Sequence, residues 1–100
     1  MKIYKTQAEV DADIKDGVLT IEGDVSFEFH LKVEAKIVVN AGNINAWNIK
    51  AGDINAGDIS FFAVAFAYFS FKCKSIVGRR INSKYFCLDK EVEITDGATV

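Results

Sequence analysis

Residues 41–60 write one five-residue unit four times: Ala-Gly-Asn-Ile-Asn, Ala-Trp-Asn-Ile-Lys, Ala-Gly-Asp-Ile-Asn and Ala-Gly-Asp-Ile-Ser. Alanine holds one column (Ala41, Ala46, Ala51, Ala56) and isoleucine a second (Ile44, Ile49, Ile54, Ile59). A short amide or acid holds a third (Asn43, Asn48, Asp53, Asp58). A fixed short period marks a repeat architecture. Five matches neither the 3.6-residue turn of a helix nor the two-residue alternation of an unbroken strand. It matches a strand that must turn before it can run on: Ile inward, a polar residue outward, Ala inward, then a two-residue corner. The chain is therefore expected to wind into stacked turns.

The segment before the repeat obeys the same logic. Val25, Phe27, Phe29, Leu31, Val33, Ala35, Ile37 and Val39 alternate with Ser26, Glu28, His30, Lys32, Glu34 and Lys36, which is the pattern of a strand with one buried face. Drawn straight, that run would span roughly 50 Å, too long for a domain of this size, so it has to bend. After Ser60 the period continues with larger residues. Phe61, Phe66, Phe71, Ile76, Ile81 and Phe86 follow the alanine column, and Val64 and Phe69 follow the isoleucine column. At Lys74, Arg79 and Lys84 the isoleucine column turns basic, and the simple register ends. At the other end a short strand near residues 3–5 precedes Thr6-Gln7-Ala8-Glu9, a capping box. Val10 and Ile14 then give one apolar stripe, and Gly17 is a natural stop, so residues 7–16 are expected to form a helical lid. Further strands are expected at 18–22, 84–88 and 91–94, with a tail from Asp96-Gly97.

One hundred residues make one domain, 1–100, divided into a strand and capping helix (1–17), coils (18–88) and a terminal strand and tail (89–100). Half of the residues are hydrophobic and eight are Phe, enough for a dry core, and Pro is absent, which suits a chain whose N–H groups join ladders. Cys73 and Cys87 lack CxxC spacing and read as buried free thiols, with a disulfide or a metal pair as the alternative. There is no apolar run of about eighteen residues and no apolar core at residues 1–7, so a cytoplasmic protein without a membrane span is expected. Charge is segregated. Residues 1–58 carry six basic and ten acidic side chains, residues 59–88 carry five basic and no acidic ones, and the last twelve return to acid. Such asymmetry points to a charged partner.

In these columns the sequence resembles the pentapeptide-repeat proteins. Their usual unit, Ala-(Asp/Asn)-Leu-x-x, shares the five-residue period, the apolar centre and an Asp or Asn at a fixed offset. The unit here differs in placing Gly or Trp two before the isoleucine and Ala two after it. The resemblance implies an all-β fold, a right-handed parallel β-helix of four sides, with about twenty residues per coil and about four coils. In that geometry Ile44 lies over Val64, and Asn43, Asn48, Asp53 and Asp58 take four different corners. The chain also looks like small β-helical proteins of phages and prophages, which implies action in a host cell's cytoplasm.

Candidate residues follow. Trp47 stands where the other units have Gly, and is either an exposed anchor for a partner or a cover over the next coil. Asp53 and Asp58, with Glu28 and Glu34, are candidates for an acidic stripe, which the resemblance connects with mimicry of duplex DNA. Lys72, Lys74, Arg79, Arg80 and Lys84 are candidates for a phosphate-gripping patch with Tyr85 beside them. His30, the one histidine, has no nucleophile or metal-ligand companion in the pattern, and no phosphate-cradling or HExxH motif is present. The expectation is a non-enzymatic protein without cofactor or metal. The leading reading is a binding protein directed at a nucleic-acid-handling partner, in its concrete form an anti-CRISPR-like inhibitor of a host defence complex. The second is a structural protein that self-assembles as a dimer through its C-terminal coil. The third is a direct nucleic-acid binder through residues 72–84.

Overall fold

The structure, a computed structural model, describes residues 2–95. A first strand, β1 (Lys2–Tyr4), leads into the one helix, α1 (Gln7–Asp13). Eleven strands follow: β2 (Val18–Glu22), β3 (Val25–Phe27), β4 (Leu31–Lys32), β5 (Lys36–Asn40), β6 (Ile44–Ala46), β7 (Ile49–Asn55), β8 (Asp58–Phe61), β9 (Val64–Cys73), β10 (Ser75–Gly78), β11 (Lys84–Cys87) and β12 (Glu93–Ile94). Every ladder between them is parallel. This is an all-β parallel solenoid of stacked coils with a short helix at its N-terminal end. The tail expected from Asp96-Gly97 lies outside the described residues.

Each coil makes three runs. The first face stacks β1, β3, β6, β8 and β10. The seven-stranded sheet is creased into two more faces: β4 lies along Ile49 and Lys50 of β7, whereas β5 lies along its residues 53–55, with a register shift between. The second face is thus β4, the start of β7, the start of β9, and β11. The third is β2, β5, the ends of β7 and β9, and β12.

This corrects the expected four-sided coil. Ile44 lies not over Val64 but beside Ile59, fifteen residues on, which is three five-residue units to a turn. Other turns are longer: Lys36 pairs with Asp53, Leu31 with Ile49, and Val64 with Lys84. The reason lies in the core. Each side is an extended run of about three residues, roughly 10 Å. Three such sides close around the Ile, Ala and Phe side chains that fill the interior at close packing.

All four repeat isoleucines, Ile44, Ile49, Ile54 and Ile59, point into that core and are buried. On the first face one inward row reads Tyr4, Phe27, Ala46, Phe61 and Gly78, so large and small residues meet across coils, as dense packing requires. On the third face Leu19, Ile37, Ile54 and Phe71 stack and are all sealed from solvent. After Phe61 the expected inward rows hold at Phe71, which is buried, and at Ile76, which packs partly buried against the core, but fail elsewhere. Val64 and Phe69 are exposed, Phe86 is half-exposed and Ile81 is 95% exposed, and the inward places go to Ala65 and Ala67. The corner at Phe62-Ala63 and an extra residue where Tyr68 and Phe69 pass Gly52 shift the phase, and a one-residue slip turns every side chain over.

The helix closes one end. Thr6 and Glu9 form the capping box, Val10 is fully buried, and the Gln7 side-chain oxygen accepts the Lys32 N–H at 3.1 Å, which satisfies the lowest strand of the second face. The helix stops at Asp13, three residues before the expected end, because Ile14 is extended and Asp16 and Gly17 turn with positive φ. At the other end β10, β11 and β12 each pair with one neighbour among the described residues.

Candidate binding face

Three corners join the faces, and each is closed by side chains. At the corner before the first face, Asp24 accepts the Asn43 N–H, Asn43 accepts the Asp58 N–H, and Asp58 accepts the Ser75 hydroxyl, at 2.9, 2.8 and 2.7 Å. The Asn/Asp column is therefore partly a ladder on one corner, not a set of separate corners. Asn48 does the same elsewhere, accepting the Val64 N–H at 3.0 Å, and Asp53 accepts the Ser70 hydroxyl at 2.7 Å. These short side chains take up polar hydrogens where the chain turns from one ladder to the next.

The acidic candidates do not assemble. Glu28 lies at the corner between first and second faces, Glu34 at that between second and third, Asp53 on the third face beside Lys36, and Asp58 in the ladder just described. The basic candidates disperse as well. Lys72 sits on the third face paired with Glu93 at 4.0 Å, and Lys74 follows at the next corner. Arg79 lies across the first face and donates to Asn45 Oδ1, Ser60 Oγ and the Ala46 carbonyl at 2.9, 2.8 and 2.6 Å. Only Arg80 and Lys84 reach the second face or its rim.

Trp47 is 45% exposed at the corner between first and second faces. It lies there between rings of the adjacent coils: His30 below, edge-on at 6.2 Å, and Phe62 above, tilted by 56° at 5.2 Å. The Phe62 N–H donates to the Trp47 carbonyl and the Arg80 N–H to that of Phe62, so Arg80 ends the column. Across the second face, register aligns Lys32, Lys50, Phe66 and Phe86 in one outward row. Phe66 touches Phe86 and Tyr68, each at 4.7 Å, and Lys50 Nζ lies 5.6 Å from the centre of the Tyr68 ring. Lys84 stands beside Val64. Between the corner rings and this row runs an open groove of about 440 Å³, walled by His30 on one side and Phe66 and Phe86 on the other. Among the described residues the ion pairs are Lys2–Asp13 and Lys72–Glu93, so the cations of this face hold no carboxylate there.

Sequence reasoning found Trp47, Arg80 and Lys84, but missed Lys32, Lys50, Phe62, Phe66, Tyr68 and Phe86 as members of one surface. Spacing across coils, not along the chain, carried that signal.

The remaining reactive groups stay apart. Both cysteines are free thiols, Cys73 buried and Cys87 half-buried. Burial, with the Asp58 charge adding to it, pushes the Cys73 thiol up to about 11. Among the described residues no three of His, Cys, Asp and Glu gather as a metal site. Nor among the described residues is any helix long and apolar enough to cross a membrane. Compared with family models, with curated proteins and with solved structures, the chain matches none.

Proposed function

We propose that this protein is a non-enzymatic binding module that presents its second face, with Trp47 at the rim, to a partner. One observation carries the reading: two pairs of rings, Trp47 with Phe62 at the corner and Phe66 with Phe86 on the sheet, lie on the outside of the solenoid instead of in its core, with Trp47 and Phe86 exposed and Phe62 and Phe66 partly so. Exposed apolar patches of this kind mark interaction sites, and Trp is enriched at their energetic centres. Following the resemblance to pentapeptide-repeat and small phage solenoids, the concrete form is an inhibitor that occupies a nucleic-acid-handling host complex. A duplex mimic would need its carboxylates on one side. Glu28, Glu34, Asp53 and Asp58 are spread over three corners and a face, so the proposal rests on the aromatic face. The test is parallel capture from host lysate by the wild type, by Trp47→Ala with Phe86→Ser, and by Asp53→Asn with Asp58→Asn. A stoichiometric partner lost only with the aromatic pair is expected; equal capture by all three, or none by any, ends the reading.

A second reading, self-assembly through the C-terminal coil, is favoured by three strand edges that are open among the described residues and by Ile81 and Leu88, 95% and 66% exposed. Such edges are templates for pairing. Light scattering that returns a monomer at high concentration would remove it.

A further inference from the structure

We infer that the second face is a track for single-stranded nucleic acid, an inference that rests on this face being the binding surface and names its ligand. Two features meet there that no other face combines. The first is ring area open to solvent: Trp47 and Phe86 are 45% and 47% exposed. The second is positive charge without a carboxylate partner among the described residues, on Lys32, Lys50, Lys84 and Arg80. Sequence-tolerant single-strand binding uses this combination, a cationic surface that follows phosphates beside aromatic rings on which bases stack. Glu28 and Glu34 at the two lower rims and Asp89 at the upper are the carboxylates near the track in the chain's layout, and all three lie at its corners.

The spacing favours a single strand over a duplex. Rings on adjacent coils step by 5.2 Å from Trp47 to Phe62 and by 4.7 Å from Phe66 to Phe86. Paired DNA advances about 3.4 Å per base along each strand and turns its base faces inward. These rings are also tilted against one another, by 56° from Trp47 to Phe62 and by 47° from Phe66 to Phe86, so bases that lie on them cannot keep the parallel stack of a duplex, whereas a single strand can turn each base separately. The outward row changes along the axis from lysine in the lower coils to phenylalanine in the upper ones, while Trp47 beside the lysines and Lys84 and Arg80 beside the phenylalanines keep rings and cations together along the groove.

The experiment uses the intact chain with fluorescently labelled single-stranded oligonucleotides of ten to twenty nucleotides, the same sequences as duplex, and a salt series. Salt-dependent binding of the single strand with quenching of Trp47 fluorescence is expected, with a log–log salt slope of about −2 to −3 for three or four phosphate contacts. Trp47→Ala should weaken it about 5- to 150-fold. Lys32→Ala with Lys50→Ala, both at surface positions, should lower the slope magnitude by about 1.4. Duplex bound as tightly as single strand would overturn the inference, since stacking would then play no part. If no oligonucleotide binds but lysate capture is still lost with Trp47→Ala and Phe86→Ser, the inference falls and the binding-face reading stands, with a protein partner. If neither occurs, both fall.

Discussion

Gly52→Ala tests the geometry on which every surface assignment depends. Gly52 sits at the crease between the second and third faces, fully within the wall. A β-carbon there would overlap the Glu34 carbonyl oxygen of the coil below and lie 3.2 Å from that of Ala35. The obstacle is backbone, which cannot swing aside as a side chain would. Nor can the strand move freely, because the Gly52 N–H donates to Ala35 at 3.0 Å and the Val33 N–H to Lys50 at 2.8 Å. Relief requires the two coils to part locally. Overpacking of this kind costs about 1–3 kcal/mol, and weakening one flanking ladder bond adds about 1 kcal/mol. The expected loss is about 2–4 kcal/mol, out of a total that for such domains is about 5–15 kcal/mol. At about 4–8 °C per kcal/mol this lowers Tm by about 8–32 °C.

Gly23→Ala is the control. Gly23 has φ of +87° and nothing within 4 Å of a would-be β-carbon, so only backbone strain opposes the change, about 1–2 kcal/mol. Urea midpoints and melting curves of both variants decide the matter. Hydrogen exchange should quicken at Gly52 and Asp53 in the first variant and stay local to the turn in the second. A Gly52→Ala protein within about 0.5 kcal/mol of wild type, the scatter of ordinary surface changes, would refute the close stacking of β7 on the turn at Glu34-Ala35.

Other outcomes follow from the same coordinates. Ile54→Ala, at a fully buried place between Ile37 and Phe71, should cost about 2–5 kcal/mol by urea denaturation. The Cys73 thiol ionises near 11 in the folded state against an ordinary 9.0, so below pH 9 it leaves stability unchanged. Between pH 9 and 11 the unfolded thiol ionises first and stability falls as the pH rises, a limb that Cys73→Ala should flatten relative to wild type. The Tyr4 hydroxyl, 2.7 Å from Asp13, is the main influence holding that carboxyl below its usual range. Tyr4→Phe should raise the Asp13 pKa in an NMR titration, and wild type should lose the lid's contribution as pH falls through that lowered value. Arg79→Ala should destabilise by about 1–2 kcal/mol without rescue by Arg79→Lys, because a single ammonium cannot span Asn45, Ser60 and Ala46. Arg80→Ala should leave the urea midpoint in place.

Much of the fold can be read from the repeat alone. Ile44, Ile49, Ile54 and Ile59 had to face one way, and the alternation from Val25 to Val39 had to bend, which it does at Glu28–His30 and again at Val33–Ala35 between β3, β4 and β5. The number of sides could not be read. A five-residue unit specifies one side and one corner, but how sharply the corner turns depends on what it meets in the coil below. Gly57 turns tightly because its missing side chain clears the Gly42 carbonyl, 2.6 Å from where a β-carbon would sit. Trp47 keeps its ring because the ring lies outside the corner, against His30 and Phe62. The same column of the repeat thus holds glycine or tryptophan for reasons that exist only after winding.

The face itself was harder to see than the fold, and the cause is geometrical. In a solenoid, sequence neighbours part company and residues a coil apart meet. Arg79 and Arg80 read as one basic pair along the chain, yet one clamps the first face and the other ends the aromatic corner column. Conversely Lys32, Lys50, Phe66 and Phe86 share no local motif, and their separations are unequal because each coil carries a corner of its own length. A scan for charge along the chain therefore groups the wrong residues, and a scan at a fixed twenty-residue step drifts off the row by the second coil. What recovers the row is the register, because each inward residue assigned to a coil fixes the outward residue beside it. A phenylalanine that follows an inward alanine, as Phe66 follows Ala65, is then left on the surface with its ring exposed to partners.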